Sequence, residues 1–144
     1  MNSMKQVIVT PDAPPALGPY AQGIKVNDTI YVSGQLPMDP KTRQLITGSI
    51  AAQTERVLLN IRAILEEAES SLEHVVKITI YMKDLSQFDE VNRVFGIFFP
   101  TGENSRSLPP ARSTVEVSRL PRDASIEMDA IAVISGGYVD FEIF

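Results

Sequence analysis

Val75-Val76-Lys77-Ile78-Thr79-Ile80-Tyr81-Met82 is crowded with β-branched residues. Val76, Ile78, Ile80 and Met82 alternate with Lys77, Thr79 and Tyr81, so the spacing predicts a strand that buries one face. The segments on either side have a helical period. Upstream, Val57, Ile61, Ile64, Leu65 and Ala68 fall at i, i+4, i+7, i+8 and i+11, one face of an α-helix, with Ser49 as its N-cap. A glycine is the usual residue to end such a helix, but Glu69-Ser70-Ser71 stands there instead. Downstream, Ser86 followed by Asp89 reads as a capping box, and Phe88, Val91, Phe95 and Phe98 share a helix face. Pro100 bars continuation of that helix.

Further out the pattern returns to strands. Residues 5–9 read as a first strand, stopped by Pro11. Prolines at 11, 14, 15 and 19, with Gly18, make the following loop stiff and shaped. Residues 23–26 and 29–33 form a hairpin across Asn27-Asp28, and 34–48 is a loop rich in Pro, Asp and Gly. Toward the C-terminus, residues 112–117 form a strand that ends before Leu120-Pro121. The last strand, 125–134, places Ile126, Met128, Ala130 and Ala132 on one face. The order β, β, β, α, β, α, β, β predicts an α+β domain, a mixed sheet with two helices on one face. The other sheet face is left for solvent or for a partner subunit.

At 144 residues, one domain spanning 1–144 is expected, with a core over about 7–133 and a tail over 134–144. Apolar residues make up 44% and charged residues 22%, ordinary globular usage. Thirteen basic against 18 acidic residues give a net charge of −5, which disfavours general nucleic-acid binding. The arginines at 106, 112, 119 and 122 are a weak counter-signal, because acids are interleaved and aromatics are absent there. The chain has no cysteine and one histidine, His74, so thiolate chemistry, cysteine zinc sites and a His-pair metal site within one chain are excluded. His74, at the start of a strand, reads as structural. There is no dinucleotide or P-loop fingerprint. No run approaches the apolar length of a membrane span, and residues 1–10 have neither a secretory nor a transit pattern, so a cytoplasmic protein is expected.

Two charges stand out against apolar rows. Arg112 lies between Ala111 and Ser113, and Glu127 lies between Ile126 and Met128. If both strands bury their apolar rows in one core, both charges project to the same, non-core side. They are then solvated surface groups or a modest cross-strand pair. Alternatively, a guanidinium grips a carboxylate while a nearby Glu handles water, which suits hydrolysis of a small acid.

Seven segments also resemble, in order, the RidA/YjgF family of enamine/imine deaminases. They are Gly18-Pro19-Tyr20-Ala21-Gln22, Val32-Ser33-Gly34-Gln35-Leu36-Pro37, Gln53-Thr54 with Asn60-Ile61, Val75-Val76-Lys77, Val91-Asn92, Pro110-Ala111-Arg112-Ser113 and Ile126-Glu127-Met128-Asp129-Ala130-Ile131-Ala132. The resemblance implies a chorismate-mutase-like two-layer fold and a homotrimer with sites in clefts between subunits. It implies hydrolysis of 2-imino acids, such as 2-iminobutanoate and 2-iminopropanoate, to 2-oxo acids and ammonia, with no cofactor and no metal. Such imines arise from enamines released by pyridoxal-phosphate-dependent dehydratases. Carried over residue by residue, it makes Arg112 the carboxylate-binding group and Glu127 the water-positioning group. Tyr20, Ser33, Gly34, Asn92 and Thr114 fall at substrate-binding positions.

This chain departs from the family pattern in several places. Thr114 occupies a position often held by cysteine, Ala21 one often held by serine, and Phe95 one often held by tyrosine. Arg43 and Glu69 stand where glycine is usual, and the 100–109 loop and the tail are long. Two other classes stay open: a non-catalytic small-ligand-binding or regulatory trimer, and a ribonuclease or translation inhibitor. The acidic balance argues against the second.

Overall fold

The computed structural model describes residues 4–102 and 108–134. The tail from 135 onward and the centre of the 100–109 loop lie outside the described residues. Among the described residues, six strands make one sheet: β1 (Lys5–Ile8), β2 (Gly23–Val26), β3 (Thr29–Gln35), β4 (Val75–Met82), β5 (Ala111–Glu116) and β6 (Ile126–Val133), in the order β1-β2-β3-β6-β4-β5. Helix α1 (Ile50–Glu67) links β3 to β4, and α2 (Phe88–Phe98) links β4 to β5. Only β4 and β5 run parallel, because only they are joined by a helical crossover and share an edge. The two-layer α+β architecture expected from the element order is present.

The core lies between the sheet and the helices. Ile30, Ile78, Ile80, Met82, Ile126 and Met128 from the strands meet Val57, Leu58, Ile61, Ile64, Leu65 and Val91 from the helices, all of them essentially inaccessible to water. The periodic face of α1 is buried, as its spacing predicts, and Ser49 Oγ accepts from Ala52 N–H at 3.1 Å as N-cap. Asn60, fully buried on α1, donates to the carbonyls of Leu36 and Met38 and ties the long 34–48 loop to the helix. Among the described residues, no helix is long and apolar enough to cross a membrane.

Local details depart from the sequence expectations. In β4 it is Val75, not Val76, that joins the buried row, and Val76 is exposed. The register against β6 shifts between Val75 and Lys77, and this bulge moves the strand's first residues by one. Ser86 does not cap α2. A single 3₁₀ turn precedes that helix, and Asp84 accepts from Ser86 N–H at 2.9 Å.

The end of α1 shows why a glycine was expected there. Glu69 adopts φ +65°, the left-handed conformation that follows a helix terminus, while Ser70 N–H donates back to Leu65 O. A β-carbon in that region costs about 1–2 kcal/mol. The Glu69 side chain is 83% exposed, so its 3.8 Å contact with Lys25 offsets little of that cost. Glu69→Gly is therefore expected to stabilise the fold by about 1 kcal/mol. The check is a higher urea midpoint with an unchanged slope.

One sequence inference about the sheet is overturned. Arg112 and Glu127 do not share a face. The β4–β5 register sets Arg112 beside Ile78 and Thr114 beside Ile80, on the helix side of the sheet. The β4–β6 register sets Glu127 beside Tyr81, on the open side. The apolar row was misassigned in β5: this edge strand has no buried residue at all, so its composition did not mark which side faced the core.

Candidate functional site

The helix side of the sheet's β5 edge carries a cation in an aromatic seat. The Arg112 guanidinium carbon lies 4.8 Å from the Phe95 ring centroid and 5.5 Å from that of Phe88, both on α2. Arg112 NH1 donates to Asn92 Oδ1 at 2.8 Å, one helical turn from both rings. Among the described residues, Arg112 has no carboxylate in ion-pair contact. A planar fork set over two rings, oriented by an amide and with no carboxylate partner among the described residues is suited to an anion from outside. Thr114, two residues on and on the same side, has a buried hydroxyl with no partner among the described residues. Such a group costs about 1–3 kcal/mol unless something bonds to it.

The open face carries the carboxylate. Glu127 lies against Gly34 of β3, and a β-carbon built at Gly34 collides with the Glu127 carboxylate. The absence of a side chain at that one position lets the carboxylate rest on the strand. The ladder between β3 and β6 breaks there too, with a register shift between Val32 and Gln35. Burial, and then the charge of Asp129, raises the Glu127 carboxyl above its ordinary value.

Tyr20 and Gly34 line one hollow together with Pro14, Pro15 and Leu17. The loop that brings Tyr20 there is fixed by Gln22. This buried side chain accepts from Thr10 N–H and donates to the carbonyls of Thr10, Ala13 and Pro14. The Ser33 hydroxyl is committed as a donor to Ala21 O at 2.6 Å, so it has only acceptor capacity left. His74 Nδ1 bonds the Ser71 hydroxyl at 2.9 Å beside a 3₁₀ turn and takes a structural place, as its sequence position predicts.

The predicted residues thus fall into two half-sites within one chain. Arg112, Asn92 and Thr114 form one. Glu127 against Gly34 forms the other, with Tyr20 sharing a hollow with Gly34 and Ser33 next to Gly34 in the chain. β4 lies between β5 and β6, so the two backbones are about 10 Å apart, with the key side chains on opposite faces. The sequence reading missed the aromatic seat, because Phe88 and Phe95 were counted only as core. It also missed the pair formed by Tyr81 and Asp129, described below, although Glu127-x-Asp129 on one strand face was a readable signal.

A six-stranded mixed sheet under two helices, with these half-sites, can be set beside known proteins. The family model described as Endoribonuclease L-PSP matches residues 10–134. A RutC family protein of Pyrococcus abyssi is 53% identical over 128 residues, covering 89% of this chain and 96% of the relative. The 2-iminobutanoate/2-iminopropanoate deaminase of Escherichia coli K12 is 45% identical over 130 residues, covering 90% of this chain and 98% of that enzyme. The crystal structure of Escherichia coli TdcF with bound serine superposes with a TM-score of 0.83 at 37% identity, covering 90% of this chain and 99% of that one. The chain belongs to the RidA/YjgF (L-PSP) family.

Proposed function

We propose that this protein hydrolyses small 2-imino acids to 2-oxo acids and ammonia, at sites that each combine Arg112 of one copy with Glu127 of another. The observation that carries this reading is the separation of the two half-sites. Each is built for ligand contact, and neither completes a reaction alone. A cation with no carboxylate partner among the described residues and a half-buried carboxylate on opposite faces of one sheet meet only if a second copy covers the open face. A homotrimer with sites between subunits satisfies that requirement. The deaminase name of the 45% identical Escherichia coli relative, and the α-amino acid bound by TdcF, support a small α-carboxylate as the ligand class.

The chemistry follows from the two groups. Arg112, held by Phe88, Phe95 and Asn92, binds the substrate carboxylate through paired N–H donors. Thr114 supplies a hydroxyl beside it. The protonated imine carbon is already electrophilic, so no strong nucleophile is needed. Glu127 holds a water against that carbon and accepts its proton as the C–O bond forms, while the C=N π electrons move to nitrogen. The carbinolamine nitrogen takes that proton back. The C–N bond then breaks to expel ammonia, and the hydroxyl loses its proton to leave the 2-oxo acid. Binding and proton handling by the chain's own residues suffice for these steps.

The test generates 2-iminobutanoate in situ from threonine with a threonine dehydratase and follows its trapping by semicarbazide. Faster imine loss, proportional to added protein, is the expected result. Unchanged imine lifetime at micromolar protein, together with RNA cleavage that co-purifies with the oligomer, would overturn the reading.

A further inference from the structure

The deaminase reading leaves one pair of side chains unused. Tyr81 Oη donates to Asp129 Oδ2 at 2.8 Å across the open face of the sheet. Tyr81 stands directly opposite Glu127 in the β4–β6 register, and Asp129 is two residues beyond Glu127 on the same strand face. The phenol therefore bypasses its register partner and reaches the diagonal neighbour. Asp129 is the acceptor in this bond, which raises the Tyr81 phenol above its ordinary value. The result is a fixed negative charge one strand repeat from a half-buried carboxylate.

The other groups around Glu127 do not cancel that charge. From β3 it lies against Gly34, which carries no charge. From β4 it faces Tyr81, with Lys77 farther along the strand and Lys83 just past its end, and neither lysine contributes to the shift. On its own strand the charged neighbour is Asp129. In the assembled site, the opposing cation would be Arg112 of the next copy.

We propose that Asp129, clamped by Tyr81, is a positioning residue that makes Glu127 the proton acceptor in the hydration step instead of a passive water ligand. This rests on the deaminase reading of Glu127. A carboxylate with a fixed negative neighbour binds a proton more strongly, so it draws the proton from the attacking water further in the transition state. Asp129 touches no substrate. It acts only through Glu127, and Tyr81 keeps it from turning away.

The sign of the pH effect is determined. Glu127 must be ionised to accept a proton, so kcat falls as pH drops through its pKa. Burial raises that pKa first and the Asp129 charge adds to it, so removing the charge lowers it. Asp129→Asn should move the acid limb of the kcat profile to lower pH and reduce the plateau by about threefold to tenfold, with KM little changed. Tyr81→Phe should move the limb the same way by less, and Asp129→Glu should restore the limb toward wild type. Each variant is first matched to wild type by size exclusion and circular dichroism. Glu127→Gln, measured alongside, should be inactive. An unmoved acid limb in Asp129→Asn, with Glu127→Gln inactive, overturns the role of Asp129 alone. Wild-type activity in Glu127→Gln overturns the assignment of Glu127 itself, and the role of Asp129 with it.

Discussion

Arg112→Ala should lose imine clearance by about a thousandfold in kcat/KM, with most of the loss in KM. The estimate follows from the bond type. Two charge-assisted hydrogen bonds to a carboxylate contribute about 1.5–3 kcal/mol each, and the substrate offers no second handle of that strength. Arg112→Lys should recover little of the loss. An ammonium cannot form the parallel fork, and it lacks the delocalised plane that the guanidinium sets over Phe88 and Phe95. The fold should survive, because Arg112 sits on an edge strand with no fully buried residue. Losing its contacts with the two rings costs about 1 kcal/mol. In-situ imine kinetics beside a thermal melt check both halves of the expectation. A folded alanine variant that clears imine at the wild-type rate would remove the basis of the proposed function.

The second expectation concerns mixtures. Arg112→Ala and Glu127→Gln should each be inactive alone, yet regain activity when refolded together. A site that takes its arginine from one copy and its glutamate from the next is intact when the first copy is the glutamine variant and the second the alanine variant. Random assortment in a closed ring makes about a quarter of the sites intact, so about a quarter of wild-type activity should return. A site contained within one chain predicts no recovery at any mixing ratio. The experiment therefore reads directly whether the two faces of the sheet meet through different copies.

The extent to which this was visible in the sequence differs by element. The helices were legible because burial writes a period into them: Val57, Ile61, Ile64 and Leu65 could belong to nothing but one helix face. β6 was legible for the same reason, and it put Glu127 on the correct side. β5 was not. It lies at the edge, every side chain is at least partly exposed, and its alternation of Ala111, Ser113 and Val115 against Arg112 and Thr114 does not record which row meets the core. The pairing with Ile78 and Ile80 fixes that, and pairing is a long-range property. The bulge at the start of β4 was invisible too, since Val75 and Val76 are equivalent as letters. The site residues themselves came from their likeness to a family. What the structure adds is that they form two groups, and that two phenylalanines and a Tyr–Asp pair belong with them.

Phe95 serves two masters. It stacks on Phe99 with ring centroids 4.5 Å apart, inside the packed interior, while the Arg112 guanidinium lies over it. Drift at this position cannot be neutral for one duty and consequential for the other. A smaller residue that loosens the interior also loosens the seat of Arg112, and a bulkier one that tightens it displaces the guanidinium. Change among relatives that keep this ring should therefore fall away from α2 and β5, where chain length can vary without disturbing the grip on Arg112.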